Sequence, residues 1–409
     1  MKKILEIKNL WIYFILLASS ILLFGEIIND RFTMHDLEVY YRTAARMIDG
    51  EELYRIAADG HYVYKYSPTA ALYFVPFALL PFPVAKVIFW GLLTALTIVV
   101  LRVLFNLAQE AFPGINNRNR NILLVAFLAV GAHVHREWHL GQVNFVLLSL
   151  YIFMLVFLMK QKSLPAGVLL AVSLFLKPFG LIFYPYLLLK GKFKTVLTSL
   201  GAIMILALLP MVFYPSWHQY TLLNQSWLTE LSIELGAKQN LMAEANHTIF
   251  SVLARYSPLQ YLLATSSSIK IYQLILLGII GLCFLSFMQM GKKVKNGLVA
   301  EVAVLIALVP LFAFTSQNAF LFTLPAIVLV LYNYPQLPPA GKYMTVASCL
   351  LIGANIRDLM GREIYNLFEN ASVYTFGTLL LLAMLFLIRR NRQNEINQTH
   401  ESRGSILHA

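Results

Sequence analysis

The chain has 409 residues, of which 59% are hydrophobic and 13% charged, with a mean hydropathy of +0.68. That leaves too little polar surface to clothe a water-soluble globule and points to an all-α polytopic membrane protein. The net charge of +12 suits cytoplasmic loops rich in Lys and Arg, so it gives no support to a nucleic-acid partner. Cys283 and Cys349 each sit alone in an apolar run and leave the redox compartment open. The first thirty residues have the basic start and apolar stretch of a secretory signal but no small-x-small cleavage site, so they read as a retained first span.

Apolar runs in chain order predict about twelve transmembrane helices, near 9–28, 84–105, 121–133, 143–160, 164–177, 179–190, 195–213, 269–290, 297–314, 320–334, 342–356 and 371–389. Between them the basic clusters mark the cytoplasmic side. These are Lys2, Lys3 and Lys8; Arg102, Arg118 and Arg120; Lys160 and Lys162; Lys190, Lys192 and Lys194; Lys292, Lys293 and Lys295; Lys342; and Arg389, Arg390 and Arg392. The segment 29–67 has the opposite balance, led by Asp30, Asp36, Glu38, Asp49, Glu51, Glu52 and Asp59, and belongs outside. Both termini are then cytoplasmic. The outer loops are 29–67, 132–144 and 214–269, in one membrane domain over 1–389 followed by a disordered polar tail at 390–409.

Two features complicate this count. The segments 164–177 and 179–190 are too short to cross alone and read as a broken pair, whose Lys177-Pro178 joint should face a cavity. Counting 68–80 as a span would put Arg118 and Arg120 outside, so it reads as an interfacial helix, anchored by Tyr62, Tyr64 and Tyr66 at headgroup level.

In the first outer loop Tyr40, Ala44 and Met47 recur at helical spacing just after Asp36. Two readings of Asp36 stand: a helix N-cap, or a general base held where a lipid-borne substrate meets a hydroxyl.

The order of Asp36, Tyr40-Tyr41, Gly50 and Tyr54, then YKYSPTAALYFVPFALLPFPVAKVIFW, GQVN at 141–144 and LKP at 176–178 resembles glycosyltransferase family 87, within the GT-C superfamily. The resemblance runs from about Asp36 to Tyr334. It implies a GT-C-like bundle and a membrane hexosyltransferase, mannose being the family default, that draws on a polyprenyl-phosphate sugar, needs no cofactor and inverts the sugar carbon. It also implies a lipid or glycan acceptor and a site on the outer face of the plasma (inner) membrane. By the same resemblance Asp36 is the base, Gln142 and Asn144 are polar site residues of the second outer loop, Lys177 holds a family lysine position, and Asn246 matches an Asn-containing segment after the large loop. One departure is that relatives of the mycobacterial enzymes carry a histidine at a later outer turn where this chain has Ser316, Gln317 and Asn318.

The residues fit such chemistry on their own terms, because displacing a lipid phosphate needs a base for the acceptor proton and cations for the leaving charge. Lys177 reads either as that cation or as a lysine snorkelling to the interface. In AHVHREWHLGQVN, Arg136 and His139 are candidates for gripping phosphate or sugar. His135 and His139 would share a helical face suited to zinc, though no accompanying HExxH or carboxylate pattern supports a metal. Lys65 and Tyr66 could meet a lipid phosphate or anchor to headgroups, and His247 and Arg255 are equally open. No P-loop, GxGxxG or Asp-x-Asp motif appears. The rival functions are a secondary transporter, which broken helices would suit, and a lipid-linked polysaccharide polymerase or ligase.

Overall fold

The structure is a computed structural model that describes residues 9–115, 119–237, 240–243, 246–261, 266–291, 296–313, 317–353 and 356–407. Lys2, Lys3, Lys8, Arg118, Lys292, Lys293, Lys295 and Ser316 lie outside the described residues. Among those described, every regular element is a helix. In chain order the α-helices are α1 (Leu10–Ile28), α2 (His35–Ile48), α3 (Ile56–Asp59), α4 (Pro68–Leu72), α5 (Val75–Ala78), α6 (Phe82–Ala111), α7 (Ile122–Leu140), α8 (Asn144–Met159), α9 (Ser163–Leu176), α10 (Phe183–Leu189), α11 (Phe193–Leu208) and α12 (Trp217–Ala237). There follow α13 (Ile249–Tyr256), α14 (Ser266–Met290), α15 (Gly297–Phe312), α16 (Leu324–Asn333), α17 (Pro339–Gly353), α18 (Arg357–Ala371) and α19 (Val373–Leu407).

Among the described residues six stretches are long and apolar enough to cross a membrane: Leu10–Ile28, Phe82–Ala111, Phe193–Val212, Ser268–Met290, Gln317–Gln336 and Val373–Asn394. A seventh is counted if α7 and α8, bent by 116° at residues 141–143, form one span. The expected count of about twelve is therefore not reached by full-length apolar helices among the described residues. The runs at 121–133 and 143–160 are the two arms of that bent pair, and Ser163–Leu176, Pro178–Leu189 and Gly297–Phe312 are shorter apolar helices. At 1.5 Å per residue a 14-residue helix reaches only ~21 Å, short of the ~30 Å hydrocarbon core. The expected outer loop at 132–144 is mostly the last turns of α7. The break foreseen at Lys177-Pro178 is present: α9 stops at Leu176, Lys177 is extended (φ −149°, ψ 139°), and a tighter helical turn starts at Pro178.

The described residues form two compact units, the first of Ile12–Leu101 and Val134–Asn240, the second chiefly of Arg102–His133 and Leu241–Ala409. In the first unit α9 packs against α8 and α11. A Cβ at Gly167 would lie 2.1 Å from Thr198 Oγ1 and 2.7 Å from the Thr195 carbonyl, so glycine is what lets α9 and α11 cross so closely. The segment 68–80 folds as two short helices instead of one interfacial helix. Ser67 caps α4 by accepting from the Ala70 amide at 3.3 Å, and its hydroxyl donates to the Phe175 carbonyl at 2.9 Å. Thr69 donates to the Leu206 carbonyl at 3.1 Å, and Pro68 through Ala71 are buried. Of the three tyrosines expected at headgroup level only Tyr62 is exposed. Tyr64 is fully buried because its hydroxyl has an internal acceptor, the Ser67 carbonyl at 3.2 Å.

In the second unit α15 is buried along nearly its whole length. Ser348 donates to the Gly377 carbonyl at 2.7 Å and ties α17 to α19. Glu301 and Arg389 form a buried ion pair at 2.5 Å, and the guanidinium also donates to the Gly297 carbonyl at 3.1 Å. Charges this deep are tolerated only when paired and hydrogen-bonded. The last helix continues to Leu407, through most of the segment expected as a disordered tail from 390.

Candidate functional site

The polar residues of the first unit converge on the corner between α7 and α8. Gly141 makes that corner. Its φ of +69° suits glycine, and a Cβ there would lie 2.6 Å from the Leu37 Cβ, so the start of α2 rests directly on the turn. This contact sets Asp36 against Gln142, whose amide nitrogen donates to the Asp36 carboxylate. Since a carboxylate only accepts, the amide is oriented by it, and the Gln142 Oε1 is left buried without a protein donor.

Asp36 is half-buried and is not the N-cap of α2: that position is Met34, in the left-handed region at φ 50°, with no side-chain cap. The carboxylate sits instead in the first turn, where the helix dipole favours its charge. Its helical face continues inward through Tyr40, Ala44 and Met47, all buried.

Two residues past Gln142, the fully buried Asn144 donates to Glu137 Oε1 at 2.8 Å and accepts from Lys177 Nζ at 2.7 Å. Glu137, itself fully buried, also accepts from the Phe145 amide at 3.2 Å and so closes the first turn of α8. A chain of hydrogen bonds thus runs from Glu137 through Asn144 to a half-buried ammonium, whose position is fixed by the extended break after α9. The Lys177 ammonium also lies 5.8 Å from the Tyr66 ring centroid and 5.7 Å from that of Phe179, within cation–π range.

Tyr66 pairs with Tyr40 through their hydroxyls at 3.0 Å, and its carbonyl accepts from the Tyr54 hydroxyl at 2.7 Å. Burial pushes the Tyr40 and Tyr66 phenols well above their ordinary range, and the nearby negative charge of Asp36 adds to the shift in both. Both therefore remain protonated donors at neutral pH. The corner accordingly presents a carboxylate, an ammonium, neutral phenols and one unsatisfied amide oxygen, the set needed to take a proton, steady an anion and orient hydroxyls.

The other expected residues lie elsewhere. His139 Nδ1 is 2.9 Å from Glu26 Oε2 and His135 Nε2 is 3.7 Å from Glu26 Oε1, with the two imidazoles stacked at 6.2 Å between centroids. Arg136 is exposed on α7. Lys65 pairs with Glu234 of α12. Among the described residues no group of three His, Cys, Asp or Glu side chains is arranged to hold a metal ion.

Asn246 and His247 belong to the second unit. The Asn246 side chain accepts from the Thr248 amide and hydroxyl at 3.1 and 2.7 Å, opening α13, while His247 pairs with Ser372 at 2.9 Å and Glu369 at 3.2 Å. In that unit Gln317 donates to the Tyr365 hydroxyl at 2.8 Å and Asn318 is buried. The residues absent from the sequence expectation are Glu137 and Gly141. A single acid among the bases of AHVHREWHLGQVN, four residues before a glycine, was the available signal.

Comparison with known proteins accords with the motif order. A relative from Mycobacterium tuberculosis, a polyprenol-phosphate-mannose-dependent alpha-(1-2)-phosphatidylinositol mannoside mannosyltransferase, is 28% identical over 203 residues, 46% of this chain and 47% of the relative. A protein of the same name from Mycolicibacterium smegmatis is 28% identical over 192 residues, 42% of each chain. The chain spans about half the length of the curated relatives it matches, or somewhat less. The profile of glycosyltransferase family 87 matches residues 64–333. That match takes in both arms of the α7–α8 corner and Lys177 and covers more than half of the sequence, so the chain belongs to glycosyltransferase family 87.

Proposed function

We propose that the protein is a multi-pass membrane glycosyltransferase that moves a hexose, mannose on the strength of its relatives' names, from a polyprenyl-phosphate donor to a hydroxyl of a lipid or glycan acceptor. The observation that carries this reading is the α7–α8 corner, which holds a carboxylate on Gln142 and an ammonium on Asn144, two positions apart in the chain. The acceptor oxygen attacks the anomeric carbon as Asp36 takes the hydroxyl proton. The bond between that carbon and the phosphate oxygen breaks, and its electron pair leaves on the phosphate. A single displacement of this kind inverts the carbon. Lys177, held by Asn144 and backed by Glu137, faces the developing phosphate charge, and the Gln142 amide oxygen accepts from a substrate hydroxyl. Tyr66 and Tyr40 line the same place as neutral donors. Arg136, His139 and Lys65, away from the corner on the same unit, are further candidates for polar contacts to the substrates.

The positive-inside pattern supports a reading in which Asp36 faces outward and both termini are cytoplasmic, and the family resemblance suggests the plasma (inner) membrane. The test is purified protein given a panel of polyprenyl-phosphate sugars, scored by release of polyprenyl phosphate. Mannose release is expected, and silence with every sugar in the presence of glycolipid acceptors would reject the reading. For sidedness, a cysteine replacing the exposed Asp49 should react with an impermeant thiol reagent in intact cells and one replacing the exposed Lys194 should not. The opposite pattern would put the corner on the cytoplasmic side.

A further inference from the structure

Besides the face carrying Asp36, α2 has a second face that the proposed chemistry does not use. His35, Glu38, Arg42 and Arg46 recur along it at intervals of three or four residues, over ~16 Å of helix at 1.5 Å per residue. Opposite them lie Asp59 at the end of α3 and Tyr62 just after it. Together these residues line an open cavity of about 360 Å³, all within the first unit. That volume falls in the ~300–1,000 Å³ range of small-molecule sites.

The lining is chemically specific. Arg46 grips Asp59 through two hydrogen bonds, at 2.6 and 3.1 Å, and Arg42 pairs with Glu38 on the next turn. The four charges that line the cavity cancel in pairs, with Arg55, 4.0 Å from Asp59, outside the lining, so an anion or a cation entering the cavity itself would have to break a pair to gain one. A neutral ligand rich in hydroxyls meets no such cost, because each paired carboxylate keeps unused lone pairs and each guanidinium keeps unused N–H groups at fixed angles. At one end Tyr62, 54% exposed, stands beside the His35 imidazole with ring centroids 5.8 Å apart and planes tilted by 42°, giving an aromatic wall. An aromatic ring face beside paired acceptors and donors matches a pyranose ring, which has apolar C–H faces and an equatorial rim of hydroxyls.

We propose that this cavity is a binding subsite for a neutral pyranose unit of the acceptor glycan. Its assignment to the acceptor rests on the reading of Asp36 as the acceptor's base. His35 lines the cavity and Asp36 follows it in the same helical turn, so a sugar seated here presents its hydroxyls at the edge of the Asp36 face. The donor's sugar is the poorer match, since its attached phosphate needs an uncommitted cation and both arginines of this cavity are already neutralised.

The experiment uses the full chain in phospholipid nanodiscs and methyl α-D-mannopyranoside as the probe, followed by saturation-transfer NMR. Wild-type protein should bind the probe. Tyr62→Ala should weaken binding by ~10-fold, and Arg42→Gln should do so by several-fold; both replaced side chains are largely exposed, so the fold is expected to survive. Inorganic phosphate should not displace the probe. Wild-type protein that does not bind it, unchanged binding in both variants, or displacement by phosphate would each overturn the proposal. A kinetic arm separates the two sugar sources: Tyr62→Ala should raise the KM for acceptor ~10-fold and leave the KM for donor unmoved, whereas the reverse would assign the cavity to the donor and overturn its assignment to the acceptor. Asp36→Asn should bind the probe as wild type does. If that variant also transferred sugar at the wild-type rate, the base reading would fail while the binding result stood, so the two failures are distinguishable.

Discussion

Two clusters of buried polar side chains, one in each unit, are built from similar residues and end differently. Around Asn144 the interior is satisfied by Glu137 and the Phe145 amide, but the outer members, Asp36 and Lys177, are half-buried charges. Around His247 most of the polar groups are engaged by one another, Arg255 Nε excepted. Both imidazole nitrogens are engaged by Ser372 and Glu369, the Tyr374 hydroxyl donates to Glu369 at 2.5 Å, Arg255 donates to Ser372 at 2.5 Å, and Thr375 donates to the His247 carbonyl at 2.5 Å. In an apolar chain a buried polar residue is therefore not by itself a sign of chemistry. What separates the clusters is that one includes half-buried charges, Asp36 and Lys177, while the other is organised around a buried imidazole.

The largest effect expected from this contrast is at Asp36. Asparagine keeps the shape and the contact to Gln142 but not the basicity, so Asp36→Asn should lower the transfer rate by ~10²-fold or more while donor binding survives. Well-folded Asp36→Asn protein working at the wild-type rate would remove the base from this corner, and Glu38, two residues on, would be the next acid to examine. Gly141→Ala should come next. The added methyl meets Leu37 and the positive φ is strained, so α2 has to back away from the turn. A misplacement near 1 Å is worth ~10- to 100-fold in rate, and the loss should appear in kcat with the protein still membrane-inserted and monodisperse. Lys177→Gln should then raise the KM for donor by ~10-fold, the scale of one lost charge-assisted hydrogen bond. An unmoved donor KM would return Lys177 to an interfacial role.

These residues differ in how visible they were in the sequence. Asp36, Gln142, Asn144 and Lys177 were legible through short motifs, and the turn at Gly141 was legible as a glycine between two apolar runs. The pairing of Asp36 with Gln142 spans 106 positions and was not, since nothing local encodes which helix start rests on which turn. The break at Lys177-Pro178 was legible because proline cannot continue the ladder. The number of spans was not. Hydropathy counts apolar residues but not the depth they reach, so α15, only 16 residues long, read as a full span, while α9, at 14, was short enough to read as half of a broken pair. Buried charges misled in the other direction: the acid and bases at the end of α7 looked like an outer loop, whereas Glu137 is fully buried in a helix.

The smallest effect is expected at His247, and it tests that cluster directly. If His247 ties α13 to the junction of α18 and α19, its removal takes one partner from Glu369 and one from Ser372, at a cost of ~1–3 kcal/mol. For a unit of roughly this size each kcal/mol lowers Tm by about 2–4 °C, so His247→Ala should melt several degrees early with donor and acceptor KM unchanged. His247→Gln retains one donor and one acceptor and should recover part of the loss. A substrate contact predicts the opposite split, with Tm unmoved and a KM raised several-fold. In that case a contact from the second unit has to be added to the account of sugar transfer.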